Sequence, residues 1–282
     1  MDTLKQQMEI DMELRGFSKC TCKTYLKQMH HFVRHFKKSP LEMADQEIRE
    51  YLHYLTHDKE LSHSYVNCAY SALKFFYTTT LDREWDIRKL PRLKKQSKLP
   101  VVLAPQEINA IFLVTTNLKH KAILMAIYSA GLRVSEAAHL KISDIDSQRM
   151  QIRIRSGKGN KDRYCMLSQT LLGVLRKYWY AYQPSEWLFP SVEKDKPLSS
   201  RSIQRMFKKS LELAGIHKET GVHCLRHSFA THLLELGTDI YAIQRLMGHT
   251  NIKTTSIYIH VQEQKVLSIV SPLDRIQISD NA

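Results

Sequence analysis

Four short segments of this 282-residue chain concentrate side chains suited to handling a phosphodiester. GLRVSEAAHL (131–140) puts Arg133 just ahead of a helix start. MQIRIRSGKGNKDRYCML (150–167) sets Lys158 between two glycines, which let a backbone pass close to a ligand and leave the lysine unhindered. HCLRHSFATHLLELG (223–237) carries His223 and Arg226 at i and i+3 near the amino-terminal end of a helix, where free N–H groups and the dipole favour an anion. LMGHTNIKTTSIYIHV (246–261) places Gly248 and His249 about two helical turns ahead of Tyr258.

Taken singly, each segment has an ordinary structural reading: an ion-paired surface arginine, a solvated hairpin tip, a satisfied histidine, a packed tyrosine. Together they compose a metal-free site for cutting and rejoining a phosphodiester. Arg133 and Arg226 can stabilise charge growing on the non-bridging oxygens. Lys158 can protonate a leaving hydroxyl, and His223 can help take the proton from the nucleophile. Tyr258 can attack phosphorus and hold the bond energy in a covalent phosphodiester, so that a strand is rejoined without ATP. Other chemistries fit less well. No G-x-x-x-x-G-K-[ST] phosphate loop occurs, and the boxes lack the clustered carboxylates that two catalytic cations require. His223, Cys224, His227 and His232 are zinc-ligand types, but their spacing matches no closed zinc site.

These residues need elements to hold them. Apolar positions step by three and four through Tyr25, Met29, Phe32 and Phe36, then Ile48, Tyr51, Leu52 and Leu55, then Val66, Ala69, Leu73 and Phe76, which predicts a bundle of three or four helices. Ser18 or Thr21 can cap the first of these series and Ser62 or Ser64 the third. RKLPRLKKQSK (88–98) has six basic residues, no acid and a proline, which is a linker composition; it is either solvated or tracks a phosphate backbone. Beyond it, helices are expected over 105–112, 119–130, 171–182, 199–214 and 225–236, with Leu225, Phe229, Leu233 and Leu236 as the buried stripe of the last. A β-hairpin is expected over 150–167, and EWLFPS (186–191) reads as strand-like. The expected fold is mainly α with a small β-sheet: a helical domain over 1–87, a basic linker over 88–103 and a second domain with a carboxy-terminal tail over 104–282.

The formal net charge is +14, with +5 on residues 1–100 and +9 on 101–282, so no isolated basic tail explains it. Such a field favours a polyanionic partner, nucleic acid ahead of an anionic membrane surface. Apolar residues make up 43% of the chain, which excludes a disordered or fibrous protein. No spanning apolar run and no signal-peptide pattern occur, which leads to the expectation of a soluble, cytoplasmic protein with no membrane partner. The five cysteines, Cys20, Cys22, Cys68, Cys165 and Cys224, are an odd, sparse set best read as free thiols.

The four boxes resemble those of the tyrosine recombinase, or phage integrase, family, and most closely its short two-domain Xer-like members. Arg133 sits in the counterpart of the family's arginine box, Lys158 of its hairpin lysine, His223 and Arg226 of its H-x-x-R box, and His249 and Tyr258 of its terminal boxes. SKCTCKTYLKQMHHFVRHF resembles, more loosely, the helical core-binding domain. The resemblance implies a catalytic set of Arg133, Lys158, His223, Arg226, His249 and Tyr258 as nucleophile, with no metal and no cofactor. It further implies a 3′-phosphotyrosyl intermediate, a Holliday junction, and a tetramer clamped on double-stranded recombination sites, alone or with a paralogous recombinase. Only 64 residues separate Lys158 from His223, which disfavours an integron integrase with its extra segment. Because the helical pattern begins near the start of the sequence, the expectation is a chain without the additional amino-terminal arm-site domain of lambda-like integrases. In relatives, a tail such as VQEQKVLSIVSPLDRIQISDNA, with Val266, Leu267, Ile269 and Val270, docks on a neighbouring protomer; packing on its own domain is the other reading. The implied function is integration or excision of a mobile element, or resolution of multimers. A type IB topoisomerase-like enzyme and a catalytically silent DNA-binding regulator are the alternatives.

Overall fold

Helical spacing in the first hundred residues becomes four packed helices, α1 (Asp2–Leu14), α2 (Lys19–Phe36), α3 (Asp45–His57) and α4 (His63–Phe75). A π-helical turn, Phe76–Thr80, extends the last of them. The computed structural model describes residues 2–94, 99–155, 162–193, 195–249, 251–256 and 258. Of the two possible caps at each start, Ser18 and Ser62 are the ones used: their hydroxyls accept the backbone N–H groups of Thr21 (3.1 Å) and Tyr65 (3.3 Å). Glu47 reaches back to the Ala44 N–H at 2.9 Å and starts α3 in the same way. The apolar faces close on Phe32, Ile48, Tyr51 and Leu73, and α1, which precedes the apolar series read from sequence, adds Met8 and Met12. Phe32 meets Tyr51 edge-on at 5.1 Å.

The chain divides into two units, Met1–Lys98 and Leu99–Ala282, each with its own apolar core. In the second, α5 (Pro105–Val114) and α6 (Leu118–Ser129) are followed by the short α7 (Val134–Ala138) and by a three-stranded antiparallel sheet. Its strands are β1 (Ile145–Asp146), β2 (Gln151–Ile154) and β3 (Arg163–Met166), with Ile152 opposite Cys165 and Ile154 opposite Arg163. Ile152, Ile154 and Cys165 turn into the core, which is the alternation the hairpin sequence encodes. Helices α8 (Gln169–Tyr182), α9 (Ser200–Leu213), α10 (His223–Glu235) and α11 (Ile240–Met247) complete the unit. The expected hairpin tip, with Lys158, lies outside the described residues, as does the tail after Tyr258.

Three expectations need correction. EWLFPS makes only isolated bridges, Lys141 with Trp187 and Pro190 with Pro197, because Pro190 has no N–H to extend a ladder. Leu236 is 82% exposed rather than part of the buried stripe, since α10 ends at Glu235 and the chain turns away through Gly237. The spacing of about two helical turns between Gly248 and Tyr258 is not spanned by α-helix where it is described: Gly248 ends α11 in the left-handed region, and a 3-10 turn, Ile252–Thr254, follows. All five cysteines are free, and no described helix is long and apolar enough to cross a membrane.

Phe32 is fully buried at the centre of the first unit. Phe32→Ala is expected to destabilise that unit by about 3–5 kcal/mol, read as a lower denaturation midpoint in urea; an unchanged midpoint would remove Phe32 from the core.

Candidate active site

The site grows from one buried carboxylate. Arg133 stands at the N-cap position of α7, and Glu136, three residues on, reaches back so that Oε2 accepts the Arg133 backbone N–H and Oε1 its Nη1, both at 2.7 Å. From the start of β3, Arg163 lays a two-pronged fork on the same carboxylate, Nη1 to Oε1 and Nη2 to Oε2 at 2.7 Å each. Arg226, from the first turn of α10, brings Nη1 to 3.8 Å of Oε2. Burial pushes the Glu136 carboxyl up, but the Arg163 hydrogen bond and charge, followed by the Arg133 N–H and guanidinium, overcome it and hold the group at about 2.

The three arginines also share the end of α11, where the last carbonyls of a helix lack intrahelical partners. Arg163 Nε donates to the Leu246 carbonyl (3.1 Å), Arg226 Nη2 to that of Met247 (2.6 Å) and Arg133 Nη2 to that of Gly248 (3.1 Å). Arg226 Nη1 donates in addition to the Gly131 carbonyl. Two glycines make this approach possible. Gly131 (φ +59°) lies so close to Phe229 that a Cβ would sit 2.4 Å from the ring, and a Cβ on Gly248 (φ +61°) would sit 2.8 Å from Arg163 Cδ. Burial first, and the Arg133 charge next, lower Arg226 to about 10, which leaves it charged at neutral pH.

His249 follows Gly248 directly. Its Nδ1 is 2.9 Å from the buried Thr255 hydroxyl and its Nε2 is 3.1 Å from Arg226 Nη2. A guanidinium only donates, so Nε2 accepts and the proton sits on Nδ1, donated to Thr255. Burial and the charges of Arg226, Arg133 and Arg163 lower His249 to about 4, in keeping with a neutral ring. Tyr258 is 2% exposed and packs with Phe229, Ala230, Ile243 and Met247. Burial raises its phenol to about 12 against the opposing pull of Arg226. The hydroxyl is 2.9 Å from His227 Nδ1. His223 stands at the start of α10, exposed, its pKa lowered by partial desolvation and by the charges of Arg226 and Arg133.

The structure therefore brings together Arg133, Arg226, His249 and Tyr258, with His223 at the rim. It leaves the zinc-ligand types apart in role: Cys224 is buried in the core, and His232 pairs with the Tyr128 hydroxyl at 3.0 Å. Sequence reasoning missed Glu136, although an acid three residues after a helix start is a capping signal in GLRVSE. Arg163 is not among the candidates read from sequence, His227 enters only as a zinc-ligand type, and nothing marks Thr255. The arrangement offers guanidinium groups and neutral imidazoles beside a protected phenol, which is what an anionic phosphodiester and a tyrosine nucleophile require.

Residues 102–265 match the phage integrase family, and residues 4–87 match the phage integrase N-terminal SAM-like domain. A Sinorhizobium fredii protein named, provisionally, integrase/recombinase y4qK is 43% identical over 97% of this chain and 89% of its own length. Tyrosine recombinase XerA of Pyrococcus horikoshii is 36% identical over 89% of this chain and 86% of its own. The crystal structure of a XerH site-specific recombinase bound to its difH substrate after cleavage shares the fold, with a TM-score of 0.72 at 22% identity, covering 96% of this chain and 85% of that one. The chain belongs to the phage integrase family of tyrosine recombinases, and it is a site-specific recombinase. The topoisomerase-like and regulatory alternatives are not favoured.

Glu136 is ionised in the folded chain at about 2 and titrates near 4.5 when unfolded, so its stabilisation is complete above about pH 4.5 and is lost as the pH falls toward 2. Glu136→Gln is expected to cost about 3 kcal/mol at pH 7, with the gap to wild type closing between pH 4.5 and 2. Denaturant unfolding at pH 7, 5 and 3 measures it; a gap independent of pH would contradict the assignment.

Proposed function

We propose that Arg133, Lys158, His223, Arg226 and His249 bind and activate one phosphodiester of a double-stranded recombination site, and that Tyr258 attacks it. A bond forms between Tyr258 Oη and phosphorus while the bond from phosphorus to the 5′ oxygen breaks. Tyrosine gives up its proton, with His223 assisting, and the leaving 5′ oxygen gains one from Lys158, so protons balance. The 3′-phosphotyrosyl link conserves the bond, and a 5′-hydroxyl from the exchanging strand reverses the step. Arg133 and Arg226 hold the non-bridging oxygens, and the neutral His249 sits between Arg226 and Thr255.

The observation that carries this reading is the convergence of Arg133, Arg226 and His249, from three separate segments, on the end of α11, with Tyr258 packed against the same helix. Reciprocal exchange between two duplexes cuts four strands, one per tyrosine, which supports a homotetramer on DNA, alone or with a paralogue. The +14 charge supports electrostatic tracking of DNA by both units, and the absence of a spanning helix among the described residues is consistent with action in the cytoplasm. Integration or excision of a mobile element, or resolution of multimers, is the role.

Nicked suicide duplexes tiled across the DNA flanking the chain's own gene, without metal or ATP, test this. Wild type is expected to form a 3′-linked covalent adduct, Tyr258→Phe to bind the same duplex without forming it, and Arg133→Ala or Arg226→Ala to lower adduct formation at least about 100-fold with a much smaller change in binding. Normal strand exchange by Tyr258→Phe would remove Tyr258 as nucleophile.

A further inference from the structure

Among the described residues, the buried phenol of Tyr258 has one hydrogen-bonding partner. Its ring is enclosed by Phe229, Ala230, Ile243 and Met247, and its hydroxyl meets His227 Nδ1 at 2.9 Å. The two rings lie 5.8 Å apart at 50°, so the imidazole meets the phenol at its polar end rather than stacking on it. His227 is half-buried, between the fully packed Ser228 and the exposed His223, at the border of the apolar cluster and the arginine cluster. It is also the residue next to Arg226 on α10, so one helical turn carries both a guanidinium that holds phosphate and a ring that touches the nucleophilic oxygen.

We propose that His227 is the residue that positions the nucleophile, its Nδ1 accepting the Tyr258 hydroxyl and fixing Oη beside the phosphate-binding arginines. This rests on Tyr258 being the nucleophile and adds a residue to its machinery. A buried hydroxyl without a partner is unfavourable, and a phenol that satisfies itself elsewhere loses its alignment with phosphorus. Burial and the neighbouring His223 and Arg226 lower His227 to about 4, so the ring is neutral and its Nδ1 lone pair is free to accept. The other groups acting near it are His249, from the segment after α11, and Tyr258 itself. With the phenol at about 12, the proton stays on Tyr258 in the resting site, and the contact is one of placement.

The decisive pair is His227→Asn against His227→Leu. Asn presents an oxygen where Nδ1 stood and Leu fills similar space without one. Single-turnover adduct formation on the suicide duplex that wild type cleaves is expected to stay within about fivefold of wild type for Asn and to fall about 10–100-fold for Leu, with duplex affinity and thermal midpoint alike in both. Equal rates for the two variants, or a faster Leu variant, would overturn the proposal, the latter because the bond would then be a restraint. On the free full-length protein, ¹⁵N-histidine spectra are expected to show His227 as the Nε2–H tautomer, with its Nδ1 resonance moved by Tyr258→Phe; an unmoved resonance overturns the contact. Should wild type itself form no adduct, the nucleophile assignment fails, and the spectra still decide the contact.

Discussion

The second unit is organised around a shortage of negative charge. Arg133, Arg163 and Arg226 converge on Glu136, and one carboxylate cannot balance three guanidinium groups. The remaining attraction comes from the carboxy-terminal end of α11, whose last carbonyls, Leu246 to Gly248, each take one of the three arginines. Those carbonyls carry the partial negative charge of the helix end and would otherwise need water. The cluster is therefore held together while keeping a net positive charge. A second carboxylate at this point would hold the arginines better and cancel more of the positive charge that the proposed function uses.

The same burial that keeps the arginines close sets the protonation of everything around them. Cationic neighbours and desolvation both disfavour an imidazolium, so His249 and His227 are neutral and offer lone pairs. For the phenol the two influences oppose: desolvation favours the protonated form, Arg226 favours phenolate, and desolvation wins. The resting site thus holds a protonated phenol among neutral imidazoles and charged guanidinium groups. In the proposed mechanism a bound phosphodiester would add negative charge beside these guanidinium groups, which would tie the chemistry to DNA.

The sequence made legible whatever depends on local pattern. Helical spacing places Phe32, Ile48 and Leu73 in one core, and alternation at Ile152, Ile154 and Cys165 places the hairpin. The boxes around Arg133, His223 and Arg226, and His249 and Tyr258 stand out because their residue types are costly to gather without a ligand. Contacts that cross the chain were not legible. Glu136 matters through Arg163, 27 residues away, and His227 through Tyr258, 31 residues away, and no window of sequence contains both members of either pair. The break at Gly248 was hidden for a different reason. A helix continued toward Tyr258 satisfies the local pattern, but a left-handed Gly248 is needed to turn its carbonyl toward Arg133.

The β-sheet gains its purpose from the same cluster. Arg163 opens β3 and also forks onto Glu136, so the strand that follows the Lys158 segment is tied to the arginines by its first residue. At the other strand, Arg155 binds the buried Asp144 at 2.6 Å, and Arg153 pairs with Asp162 across the base of the hairpin at 2.7 Å. Surface pairs such as the latter contribute little to stability, but both partners of the fork onto Glu136 are shielded from water, and in the pair onto Asp144 the carboxylate is. Both ends of the segment bearing Lys158 are thereby anchored to the body that holds Arg133 and Arg226. In the proposed mechanism the proton donor and the groups that hold the phosphate must act in register, and the described residues on either side of the Lys158 segment, Arg155 and Asp162 with Arg163, supply it by being fixed to the body that carries Arg133 and Arg226.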